Sequence, residues 1–143
     1  MISTLKEGFK NDAFYRTLID INIDYIQYID TPSSDLCLFA IKKNPECIKY
    51  IKDQPIELYI KLSIEAVKLD GTLIRYINDP TLDIIITAVS NDFRAMKYIN
   101  INEEDEDLCT LLVMINPICI EYINDCWIRL KCKLLINKLL ILP

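Results

Sequence analysis

Apolar residues recur along this chain in two short stripes held at a fixed distance from each other. A Tyr-Ile pair stands at Tyr28-Ile29, Tyr50-Ile51, Tyr76-Ile77, Tyr98-Ile99 and Tyr122-Ile123. Ten residues before each Tyr stands a second apolar pair: Leu18-Ile19, Ala40-Ile41, Ala66-Val67, Ala88-Val89 and Leu112-Val113. Successive Tyr residues lie 22, 26, 22 and 24 positions apart. A constant interior with joints of variable length is the mark of a structural repeat.

Starting each unit 15 residues before its Tyr gives starts at Ala13, Asp35, Lys61, Asp83 and Asp107, with a partial sixth from Lys131. The second, sixth and seventh residues of every complete unit are apolar, for example Leu36, Ala40 and Ile41. That spacing puts them on one face of a helix. Later in units two to five come four apolar positions around a polar one, as in Cys47, Ile48, Tyr50 and Ile51 around Lys49. This predicts a second short helix per unit.

The joints carry helix-start residues: Asn44-Pro45, Asp70-Gly71, Asn91-Asp92 and Asn116-Pro117 before the second helices, Thr31-Pro32 and Asp79-Pro80 before first helices. Proline has no N–H to lose at a helix start, and an Asn, Asp or Thr oxygen can accept a free one. First helices are expected near 32–43, 55–69, 80–90 and 103–115, second helices near 45–52, 71–78, 92–100 and 117–124. Residues 4–10 and 13–29 are expected as an irregular helical section, and 126–141 as a longer closing helix.

A leucine-rich repeat has a similar period, but a strand alternates in and out. Ile48 to Ile51 places apolar residues at one, three and four instead. One unit alone has too few apolar side chains to offset the entropy of ordering it, so stacking must supply shared burial. The expected fold is therefore all-α: a small α-solenoid of stacked helix pairs with a period of about 22–26 residues and a C-terminal capping helix. As one domain over 1–143, it comprises an N-terminal cap (1–12), about five units (13–130) and the rest of the capping helix (131–143).

These units resemble the short helical-pair repeats, of the domain-of-unknown-function type, found in giant amoeba-infecting DNA viruses and some amoeba-associated bacteria. Such units read roughly Asp-x-x-x-x-Ala-Val-x-x-Asn-x-x-Ala-x-x-Tyr-Ile. Asp83, Ala88-Val89, Asp92, Ala95 and Tyr98-Ile99 follow that phrase, as do Asp35, Ala40-Ile41, Asn44 and Tyr50-Ile51, with Cys47 in place of the later Ala. The resemblance covers about residues 13–130. It departs in the first unit, at Leu112, and in four extra residues near Gln54 to Leu58. It implies a helical fold and a viral origin, and no chemistry.

Composition narrows the function classes. The 143 residues carry a net charge of −5, which argues against nucleic acid as the partner. No histidine is present, which removes the usual general base and the commonest metal ligand. Two glycines, Gly8 and Gly71, cannot build a phosphate-binding loop. Lys131, Lys133 and Lys138 interrupt the apolar tail, so no membrane span is expected. Residues Met1 to Lys10 lack a signal-peptide core. The expected location is intracellular, in host cytoplasm if the protein is viral.

Six cysteines are present. Cys37 and Cys109 share one unit position, and Cys47 and Cys119 another; both pairs read as core packing. Cys126 and Cys132 form no C-x-x-C, and thiols are expected to be reduced. The run Glu103 to Asp107 lacks the central Gly of a calcium loop and reads as a helix start. No cofactor or metal is expected, and no enzyme. The tyrosines read as aromatic bodies packed between units, their hydroxyls reaching backbone partners.

Beside them, Lys49, Arg75 and Lys97 occupy the polar position in three consecutive units. Stacked, they form a basic stripe that can dock an acidic partner segment. The tail is apolar on most faces, and Leu135, Leu139 and Leu142 are candidates for self-association. The function expected is a non-catalytic protein–protein interaction module for an acidic segment. The alternative is a self-associating structural protein, possible as a homodimer, using the C-terminal helix.

Overall fold

The computed structural model describes residues 11–51, 53–101 and 105–141, the last three of these by backbone alone. Six α-helices alternate with five 3₁₀-helices among the described residues, and no strand occurs there. The α-helices are α1 (Asp12–Ile21), α2 (Ser34–Lys43), α3 (Ile56–Leu69), α4 (Leu82–Asn91), α5 (Glu106–Ile115) and α6 (Cys126–Ile141). The 3₁₀-helices are η1 (Ile23–Tyr28), η2 (Pro45–Tyr50), η3 (Gly71–Tyr76), η4 (Phe93–Tyr98) and η5 (Pro117–Tyr122). Each α-helix packs on the next, each 3₁₀-helix packs on the next, and α6 closes the row against α5 and η5. The fold is an all-α repeat stack of two layers.

One residue both ends and starts a helix at every joint from an α-helix to a 3₁₀-helix. The Asn44 backbone N–H donates to the Ala40 carbonyl at 2.8 Å, completing α2, while its Oδ1 accepts the Glu46 N–H at 3.0 Å, opening η2. Asn22, Asp70, Asp92 and Asn116 do the same. Two orphan backbone groups are thus satisfied by one residue in an extended conformation, the carbonyl by its backbone N–H and the N–H by its side chain.

Each second helix is six residues of 3₁₀ structure rather than an α-helix. With 3.0 residues per turn, positions i and i+3 eclipse and three edges result. In η2 these are Cys47/Tyr50, Ile48 with the following Ile51, and Glu46/Lys49. The first two edges hold the apolar residues, and Cys47, Ile48 and Ile51 are buried. The core continues through Leu36, Ala40 and Ile41 of α2 and the matching Leu62, Ala66 and Val67 of α3 and Ile84, Ala88 and Val89 of α4.

Two further expectations are corrected, and a third is made specific. The first unit is regular: α1 and η1 repeat the pattern, with Arg16 lying 4.9 Å from the Phe39 ring centroid and Lys43 paired to Asp20. The N-caps of α2 and α4 are Ser33 and Thr81, two residues beyond Thr31 and Asp79. The four extra residues become one additional turn, since α3 has 14 residues where α2 and α4 have 10. The N-terminal cap over 1–12 lies almost wholly outside the described residues, as does Glu103-Glu104 of the acidic run.

Gly71 lets α4 come close. An added Cβ there would stand 2.2 Å from the Ala88 carbonyl oxygen. Asn91 ties the same joint, accepting the Gly71 N–H at 2.8 Å and donating to the Lys68 carbonyl at 2.8 Å.

Candidate functional site

The polar edges of the 3₁₀-helices lie side by side because the 3₁₀ layer stacks. Each edge carries two residues: Asp24/Gln27, Glu46/Lys49, Thr72/Arg75, Arg94/Lys97 and Ile118/Glu121. Charge therefore changes along the stack. The η2 edge is internally paired, with Lys49 Nζ at 3.4 Å from Glu46 Oε1. The η3 edge is cationic, and the η4 edge is doubly so.

The tyrosines tie these edges together. Tyr76 donates its hydroxyl to Glu46 Oε1 at 3.2 Å, and Tyr50 donates to Asp24 Oδ1 at 3.5 Å. The partner is thus a carboxylate one unit back, not a backbone group. Lys49 Nζ lies 4.9 Å from the Tyr50 ring centroid and 6.0 Å from that of Tyr76. Arg75 Cζ lies 4.7 Å from the Tyr76 centroid and 5.8 Å from that of Tyr98. Cations and rings alternate as Tyr50, Lys49, Tyr76, Arg75, Tyr98, a geometry in which ring quadrupoles hold the cations.

The three residues of the expected basic stripe thus differ. Lys49 is half-buried and engaged, and Arg75 is exposed but anchored on rings and on Thr72 Oγ1, to which its Nη1 donates at 3.1 Å. Lys97 is exposed and makes no ion pair among the described residues. Arg94 joins the site. It is two-thirds exposed (64 %) and closes on Asp92, with Nε at 2.9 Å and Nη2 at 2.6 Å from Oδ2. The Arg94 guanidinium holds the Asp92 carboxyl below its usual range. Reading Tyr minus four as a polar-edge position would have found Arg94; that needs a period of three rather than 3.6.

Between η3 and η4 these groups border an open polar cleft of ≈ 570 Å³. Arg75, Arg94, Lys97 and Tyr98 stand on it together with Asp70 and Asp92. Lys49 lies outside it.

A second feature lies at α6. A smaller apolar cavity of ≈ 130 Å³ is lined by Val113, Met114, Pro117, Cys132, Leu135 and Ile136 among others. Leu135 is exposed, as are Trp127, Leu130 and Leu134. The Leu139 side chain and Leu142 lie outside the described residues. Of the cysteines, Cys37, Cys47, Cys109, Cys119 and Cys132 are buried and unbridged, and Cys126 is exposed. Burial pushes the Cys47 thiol up to about 12 and those of Cys37 and Cys119 to about 11.

No helix among the described residues is long and apolar enough to cross a membrane. A scan against protein-family models finds no match, and neither does a search of curated proteins or of solved structures.

Proposed function

We propose that the chain is a non-catalytic, intracellular interaction module that binds an acidic segment of a protein partner along its 3₁₀ layer. The observation carrying this reading is the cationic run on successive edges, Arg75 then Arg94 and Lys97, on a protein of net charge −5. Local positive charge on an acidic molecule steers acidic partners and sets their orientation. The overall negative charge disfavours nucleic acid. The likeness of the repeat phrase to arrays of amoeba-infecting viruses supports a viral origin and host cytoplasm as the site of action.

The test is affinity capture from amoebal extract with the wild-type chain and a Lys49→Gln, Arg75→Gln, Lys97→Gln variant. Glutamine removes the charge and keeps a polar side chain without placing new carboxylates against Tyr76 and Tyr98. A partner with an acidic segment, held by wild type and lost by the variant, supports the module. Recovery of the chain only with itself, in both cases, supports a second reading, self-association. That reading rests on the exposed Trp127, Leu130, Leu134 and Leu135 of α6.

A further inference from the structure

We propose that the cleft between η3 and η4 is a seat for one side-chain carboxylate of a Glu- or Asp-rich segment, with the Arg94–Asp92 pair as its gate. This rests on the reading of the chain as a module for acidic segments, and it names the seat.

The hydrogen-bond inventory of the cleft decides what it can take. Two of its neutral polar groups, Thr72 and Asn91, are already engaged. Thr72 donates to Asp70 Oδ1 at 2.7 Å and accepts from Arg75, while both ends of the Asn91 amide are used on the α3–η3 joint. Asp70 Oδ1 also accepts the Thr72 N–H at 2.9 Å. Asp92 is filled by Arg94 from both its backbone and its side chain. Donors are most of what remains. Lys97 carries three N–H groups, and Arg75 has four beyond the one given to Thr72. Tyr98 is 47 % exposed and adds a hydroxyl and a ring face. Asp70 Oδ2 is the one carboxylate oxygen of the lining with no partner among the described residues, and the free donors outnumber it, so the cleft favours a ligand that accepts.

Charge sets how much negative ligand fits. Arg75, Arg94 and Lys97 oppose Asp70 and Asp92, which leaves one positive charge. One carboxylate neutralises it. A phosphate, carrying about −1.5 to −2, overcharges the site while both aspartates stay ionised. The position of Arg94 gives the site a gate: its guanidinium can remain on Asp92 or turn toward an incoming carboxylate, which exchanges one ion pair for another.

The test uses a fluorescein-labelled Glu-rich peptide, its Gln-substituted analogue and a phosphoserine version, with fluorescence anisotropy as readout. Lys97→Gln is expected to weaken the Glu peptide by about two- to fivefold, the upper part of the range for one exposed charge contact. Asp92→Asn is expected to tighten it by a similar factor, because Asn keeps the cap and frees Arg94; Asn already fills that joint position at Asn22, Asn44 and Asn116. Asp107→Asn and Lys138→Gln make the same charge changes elsewhere and are expected to leave the affinity unchanged. Equal effects from these controls would overturn the seat, and so would phosphoserine binding more tightly than Glu. Weakening by Lys49→Gln, with Lys97→Gln and Asp92→Asn silent, would remove the seat and leave the module intact. No binding of the Glu peptide by any form would remove both.

Discussion

The Tyr76 hydroxyl donates to Glu46 Oε1 across one full repeat, at 3.2 Å. The bond links η3 to η2 and is half-buried, so its loss is felt in stability as well as in register. Tyr76→Phe is expected to lower the unfolding free energy by about 0.5–1.5 kcal/mol. Tyr98 makes no hydroxyl hydrogen bond among the described residues, and Tyr98→Phe is expected to leave stability within about 0.5 kcal/mol. Urea denaturation of the two variants checks the contrast.

Gly71 carries a tight joint. A Cβ at 2.2 Å from the Ala88 carbonyl oxygen meets backbone, which cannot rotate away. Gly71→Ala is expected to cost about 1–3 kcal/mol, as overpacking does. A melting temperature equal to wild type would remove the claim that η3 and α4 meet through this glycine.

Ser63 is fully buried and its Oγ has no hydrogen-bond partner among the described residues. The same unit position holds Cys37 in α2 and Cys109 in α5, both weakly polar and both buried. Ser63→Ala removes the buried hydroxyl, whose desolvation costs about 1–3 kcal/mol, and leaves a small void in exchange. The expected outcome is stability equal to or above wild type, read from the urea midpoint.

Much of this architecture is legible in the chain. The Tyr-Ile pairs and the apolar pairs ten residues earlier mark the two layers, and the closing helix falls at Cys126–Ile141 as its apolar run suggests. The second helices were legible too, at a different period. Polar residues at 72 and 75, or 94 and 97, recur every three positions, which is the 3₁₀ repeat. An α-helical reading of six residues hides that third edge and with it Arg94. Thr31-Pro32 and Asp79-Pro80 misled because proline also favours an extended lead-in, and Asp79 itself sits in the left-handed region at φ 46°. The engagement of Lys49 and Arg75 on tyrosine rings depends on how units stack, which spacing alone does not specify.

Alkaline pH acts on the buried thiols. Burial raises Cys37, Cys47 and Cys119 from 9.0 to about 11, about 12 and about 11. The folded state then holds protons that the unfolded chain gives up. Their contribution is present below pH 9 and is lost as pH rises toward 11–12. Under reducing conditions, Cys47→Ala is expected to flatten the fall of the urea midpoint over that window relative to wild type. At neutral pH, iodoacetamide is expected to label Cys126 quickly and the buried thiols only after denaturation.

The acidic-segment module is tested most directly by titrating the isotope-labelled chain with a Glu-rich peptide and following backbone amide resonances. The expected result is saturable shifts at Arg75, Arg94, Lys97 and Tyr98, absent with the Gln-substituted peptide. Shifts confined to α6, or none at all, would contradict it.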